Sequence, residues 1–157
     1  MNRPRRVKDV MNPDIMTVAA DMTTDDLARY LTEREISGAP VVDSQGHLVG
    51  VVSMTDIGRQ LAEPSDFASS RRSEFYRNTS DDVTLEDLGQ RYVEEREVTV
   101  RDVMTPVVYQ VPATAPVAEA ARSMVEHHIH RLVVTQDKEP VGIITSMDLL
   151  RFVAEQS

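Results

Sequence analysis

The residues with chemistry to offer come as a repeated constellation: Ser53, Thr55 and Asp56 in one stretch, and Thr145, Ser146 and Asp148 in another. The stretches read Gly50-Val51-Val52-Ser53-Met54-Thr55-Asp56 and Gly142-Ile143-Ile144-Thr145-Ser146-Met147-Asp148. Each places an aspartate three positions after a hydroxyl residue, where a buried strand should bend into a helix. A carboxylate at such a bend can accept two hydrogen bonds from a vicinal diol, as ribose offers. The first amides of the helix and the neighbouring hydroxyls favour an anion such as phosphate. The same residue types also cap helices, so Thr55, Asp56 and Asp148 have a purely structural reading beside the binding one.

Two such stretches need two copies of the elements that present them. Val10-Met11-Asn12-Pro13 recurs as Val103-Met104-Thr105-Pro106, in the same order relative to the glycine motif. Such long, ordered similarity marks a duplicated unit that buries a face against its twin. In the first copy, Ile15–Val18 is expected as a brief strand, and Thr23 or Thr24 as the N-cap of a helix. Leu27, Ala28, Tyr30 and Leu31 form its apolar stripe; the helix runs to about Glu35, with Gly38 breaking it. Residues 39–43 and 48–52 are two strands around the turn 44–47, and a helix follows from Thr55 to about Ala62. In the second copy the opening strand spans Val107–Val111, and Pro116 starts a helix. Val117, Ala120, Ala121, Met124 and Val125 make its buried stripe. Strands 132–135 and 141–145 and a helix from Asp148 to Val153 complete the plan. Each copy is thus β-α-β-β-α, an α/β (α+β) fold with domains at 7–62 and 100–157. A flexible tail, 1–6, precedes them.

The segment 63–99 belongs to neither copy. It carries a helix expected from Leu85 to Glu95, and residues 81–97 hold seven acids against Arg91 and Arg96. That charge reads as a solvated face, and Phe67, Phe75, Tyr76, Leu85, Leu88 and Tyr92 as points where the insert docks on the body.

Composition narrows the function. A net charge of −9 argues against nucleic acid, whose phosphates are neutralised by Lys and Arg. No apolar run approaches the roughly 20 residues of a membrane helix, and the basic start lacks the apolar core of a signal peptide. With no cysteine there is no disulfide, thiolate nucleophile or Cys-based zinc site, which suits a cytoplasmic setting. His127, His128 and His130 form no zinc site unless the helix continues through Ile129, so no metal is expected. The methionines read as gap-filling core. Neither a Walker loop, a GxGxxG turn nor a nucleophile–base pair is visible, so catalysis is not expected.

The ordered set, twice over, of Val-Met-x-Pro, helix, small-x-Pro-Val-Val (Gly38, Ala39, Pro40 in copy one) and Gly-apolar-apolar-Ser/Thr-x-x-Asp closely resembles the CBS domain. The tandem resembles the CBS pair called a Bateman module, over about residues 7–62 and 100–155. The resemblance implies two repeats packed through their sheets about a pseudo-two-fold axis. It also implies clefts that bind adenosine ligands (AMP, ADP, ATP or S-adenosylmethionine), none being a required cofactor. One cleft would use Ser53, Thr55 and Asp56 with Val107, Val108, Tyr109, Ile129, His130 and Arg131. The other would use Thr145, Met147 and Asp148 with Ile15, Met16, Thr17, Ser37, Gly38, Ala39 and Pro40. His130-Arg131 resembles a phosphate-contacting pair, which makes the Asp56 cleft the expected phosphate site. A homodimer is implied, and a regulated partner protein, for which the acidic insert is the expected contact. The competing reading is an interaction module that binds no ligand.

Overall fold

The computed structural model describes residues 5–62, 97–106 and 108–156. The helix expected over Leu85–Glu95, the docking aromatics of the insert and Val107 lie outside the described residues. In chain order the elements are α1 (Val7–Val10), β1 (Val18–Ala19), α2 (Thr24–Glu33), β2 (Gly38–Val42), β3 (Leu48–Ser53) and α3 (Met54–Ala62). They continue as α4 (Val100–Val103), β4 (Gln110–Pro112), α5 (Val117–His127), β5 (Arg131–Gln136), β6 (Glu139–Thr145) and α6 (Ser146–Glu155). The strands form two three-stranded sheets, β1-β2-β3 and β4-β5-β6, each with a parallel first pair and an antiparallel second pair. Both copies are β-α-β-β-α.

The chain divides into two compact units whose borders are not those of the repeats. One comprises Met1–Ile15 with Tyr109–Ser157, the other Met16–Val108. The segment that precedes each repeat therefore packs on the other repeat. In the first unit, Val7 N donates to Ala115 O at 2.8 Å and Lys8 N to Ala113 O at 3.0 Å, with Val7 fully buried. In the second, Val100 N donates to Met22 O at 2.8 Å and Arg101 N to Ala20 O at 2.9 Å, with Val100 and Val103 fully buried.

Local chemistry sets the element ends. Thr23 is the N-cap of α2, its hydroxyl accepting from Asp26 N at 3.1 Å, and Asp25 and Asp26 occupy the first turn. Leu27, Ala28 and Leu31 then face the core of the second unit beside Val18, Val41, Val52, Ile57, Val100 and Val103. Burying either leucine contributes about 1.5–3 kcal/mol. The helix ends at Glu33, earlier than its apolar stripe suggests. Arg34 caps it and Glu35 turns left-handed at φ 55°, so Gly38 opens β2 instead of breaking the helix. Pro116 is the N-cap of α5, and His128, also at φ 55°, closes it.

Three expectations need correction. The strand at 15–18 shrinks to Val18–Ala19, and the one at 107–111 becomes Gln110–Pro112, because only those residues find parallel partners on β2 and β5. Val125 is 76% exposed. It follows Met124 by one position, and 100° of helical rotation carries it off the buried face.

Candidate functional site

Both Asp-bearing bends are capping boxes. Ser53 Oγ accepts from Asp56 N at 3.2 Å, and Asp56 Oδ2 accepts from Ser53 N at 2.8 Å. Thr145 Oγ1 accepts from Asp148 N at 3.2 Å, and Asp148 Oδ2 accepts from Thr145 N at 2.8 Å and from the Thr145 hydroxyl at 3.0 Å. These reciprocal bonds satisfy two otherwise orphaned donors at each helix start. Ser53, not Thr55, is the N-cap of α3. Similar aspartates stand at the short helices: Asp9 Oδ2 accepts from Arg6 N and Asp102 Oδ2 from Thr99 N, each at 2.9 Å.

The four boxes differ in burial. Asp9 and Asp102 are exposed, Asp56 is 2% exposed, and the Asp148 side chain is 13% exposed. A cap works at the surface, so capping alone does not require a buried carboxylate.

The ladder decides what stands beside each box. In the second unit, Ser53 is the cross-strand partner of Gly38, and Val52 and Val51 are those of Ala39 and Pro40. Met54 N donates to Ser37 O at 2.8 Å. Met16 and Thr17, half-buried, lead into β1, and Val108 ends the unit. In the first unit, Thr145 is the cross-strand partner of Arg131, and Ser146 N donates to His130 O at 2.8 Å. Tyr109 precedes β4, its carbonyl accepting from Val133 N at 3.2 Å. Met147 is 58% exposed, and Arg151 Nη1 approaches Asp148 Oδ1 at 3.4 Å.

The structure thus brings Tyr109, His130, Arg131, Thr145, Met147 and Asp148 into one unit. It brings Met16, Thr17, Gly38, Ala39, Pro40, Ser53, Thr55, Asp56 and Val108 into the other. Within each unit the aspartate lies next to the small-x-proline position of its own repeat.

Charge follows the same division. Arg131 is half-buried, and burial lowers its pKa from the usual guanidinium value; an arginine nevertheless stays charged at neutral pH. The equivalent places in the other unit, Ser37 and Gly38, carry no charge. The helix starts have few donors left for an anion. Ser146 N is taken by His130 O and Asp148 N by Thr145 Oγ1.

His127 gained a role that its spacing did not reveal. Its ring lies 4.8 Å from that of Tyr109, at 35° between planes. Because α5 ends at His127 with His128 left-handed, His127 and His130 do not share a helical face. Among the described residues no group of three or more His, Cys, Asp or Glu side chains could hold a metal ion.

These features, two β-α-β-β-α units each with an Asp-bearing strand-to-helix bend, define a tandem-repeat binding fold. The chain belongs to the CBS-domain family, whose model matches residues 7–63 and 100–155. Among curated relatives, the chain is 27% identical over 150 residues to a homoserine O-acetyltransferase of Methanohalobium evestigatum. That match covers 95% of this chain and 24% of the relative. It is 33% identical over 153 residues to the chloroplastic CBS domain-containing protein CBSX2 of Arabidopsis thaliana, covering 92% of this chain and 62% of that one. The chain therefore spans under two thirds of either relative. The crystal structure of CBSX2 in complex with AMP superposes with a TM-score of 0.66 at 27% identity, covering 96% of this chain and 97% of that one. The CBS pair of protein MJ0100, solved with 5′-methylthioadenosine and S-adenosyl-L-methionine, shares the fold at a TM-score of 0.66 and 23% identity, over 99% of this chain and 100% of that one.

Proposed function

We propose that this chain is a regulatory, non-catalytic CBS pair that binds an adenosine nucleotide. The bound nucleotide would change how the protein engages a partner. The observation that carries this reading is the position of Arg131 across the ladder from Thr145, beside the partly buried Asp148. One cation for phosphate and one carboxylate for a ribose diol then stand at the same strand-to-helix bend. The AMP complex of the 27% identical CBSX2 supports the ligand class. On this reading the Asp148 bend would take the phosphate, where the resemblance implies the Asp56 cleft. The Asp56 bend, with neutral Gly38 and Ala39 beside it, would take the less charged ligand, such as S-adenosylmethionine. A cytoplasmic setting belongs to this proposal as well.

A melting series with AMP, ADP, ATP, S-adenosylmethionine and NAD tests it. A ligand bound only by the folded protein adds about 2.7 kcal/mol of stability at a hundredfold excess over its dissociation constant. AMP is expected to raise the melting temperature, and Arg131→Ala to weaken AMP by about tenfold, the loss of one charge-assisted contact. Flat melting temperatures across millimolar ligand would leave the ligand-free interaction module.

A second observation favours protein contact as part of the same function. No residue of α6 is buried, and Met147, Leu150 and Val153 are 58%, 62% and 61% exposed. Such a stripe suits a helix that packs on another chain, and a second copy is the proposed occupant. A regulated partner contacting the insert remains part of the proposal.

A further inference from the structure

The leading segments do more than join the repeats. Their sequences are near duplicates, Val7-Lys8-Asp9-Val10-Met11-Asn12-Pro13 and Val100-Arg101-Asp102-Val103-Met104-Thr105-Pro106. Each is fastened to the strand that bears the glycine motif of the unit it completes. Asn12 exchanges both backbone bonds with Ile143, at 2.8 and 3.0 Å, and Thr105 does the same with Val51, at 2.8 and 3.0 Å. The methionine of each segment fills the space that its glycine leaves open. A methyl group on Gly142 would lie 2.6 Å from Met11 Sδ and 2.8 Å from Asn12 O. On Gly50 it would lie 2.8 Å from Met104 Sδ and 2.8 Å from Thr105 O.

These fastenings stand between two sensitive places in the chain. Gly142 and Ile143 are in the strand that ends at Thr145, the cap residue of the Asp148 bend. Past Asn12 the chain leaves the first unit at Ile15 and begins the second at Met16 and Thr17, next to β1. The other segment runs the opposite way: Thr105 lies against the strand ending at Ser53, and past Val108 the chain begins the first unit at Tyr109. Each unit thus holds the leash of the other three residues before the border.

We propose that the two segments are transmitting straps: a shift at the glycine motif of one unit is passed along its strap to the opening strand of the other. The physical basis is that the seat has no slack. The strap cannot move at Met11 without breaking the Asn12–Ile143 pair, and Pro13 stiffens the short path to Met16. This gives the nucleotide reading a route between its two binding bends, yet it does not need a ligand to be tested.

The test is amide hydrogen exchange on the full chain without ligand, comparing wild type with Gly142→Ala. The added methyl must push the strap from the first unit. The expected result is exchange about tenfold faster not only at Met11 and Asn12 but also in the second unit at Val18, Ala19 and Ala20, through local opening. Acceleration confined to the first unit, with Val18–Ala20 unchanged, would overturn the proposal. Should Gly142→Ala fail to fold, Met11→Ala empties the same seat without overlap, and the same two outcomes decide. The melting series with AMP is read separately: absence of a shift would remove the nucleotide reading and leave the strap result standing.

Discussion

At the scale of single residues, one carboxylate geometry serves four helix starts, and burial alone separates the two of functional interest. Asp102→Ala, at an exposed box, is expected to cost about 1 kcal/mol of stability. Asp56→Ala leaves Ser53 N unpaired in a buried site (Ser53 is 3% exposed), and the expected cost is about 1–3 kcal/mol. Urea unfolding of the two variants reads this order, and equal costs would show that burial adds nothing. Asp43 provides a pH signature. Hydrogen bonds from the backbone of His47 and then Gln45, with the charges of His47 and Arg101, hold its carboxyl below the usual 3.8. A depressed folded-state pKa contributes stability that is fully present above the unfolded value and is lost as pH falls through the folded one. Acid titration of Asp43→Asn is therefore expected to show a smaller loss of stability than wild type below about pH 3.9. The alternation of hydroxyl and aspartate was legible in the sequence, but burial was not, because it depends on which strand lies across the ladder.

At the scale of elements, turn chemistry explains where sequence patterns and structure part. The β5–β6 hairpin turns through Asp137 and Lys138, both with positive φ (52° and 68°), the combination that Asn-Gly satisfies best. Replacing Lys138 by glycine is expected to raise stability by about 1 kcal/mol, by removing left-handed strain from a residue with a Cβ. The gain would be measured by thermal unfolding. The same conformation at Glu35 and His128 ended α2 and α5 without a glycine, which is why Gly38 misled as a helix stop. Periodicity placed Leu27, Ala28, Leu31, Ala120 and Met124 correctly on buried faces. It failed at Val125, where an apolar type sits on the exposed side of α5. Opening strands were overextended in both copies, because β propensity counts residues while a parallel partner is available to only two or three of them.

At the scale of the whole chain, each repeat is completed by the segment that precedes the other. This is a property of topology, and no local pattern states it. The exposed apolar stripe of α6 belongs to the same scale, since the second copy proposed for it would cover a surface and not a residue. For the proposed dimer, wild type is expected to scatter as two copies at micromolar concentration and Leu150→Glu as one, with the melting temperature nearly unchanged, because Leu150 is already 62% exposed. Persistence of a dimer in that variant would place the interface elsewhere.

Duplication, the β-α-β-β-α plan and the positions of both aspartates followed from the amino-acid sequence alone, because strand alternation, caps and repeated motifs are short-range signals. Tertiary structure decided which carboxylate is buried and which residue stands across the ladder from each cap. It also decided which repeat each leading segment completes. Those depend on ladder register and on chain crossing, and pairs such as Arg131 with Thr145 or Met11 with Gly142 are brought together only when the sheets form.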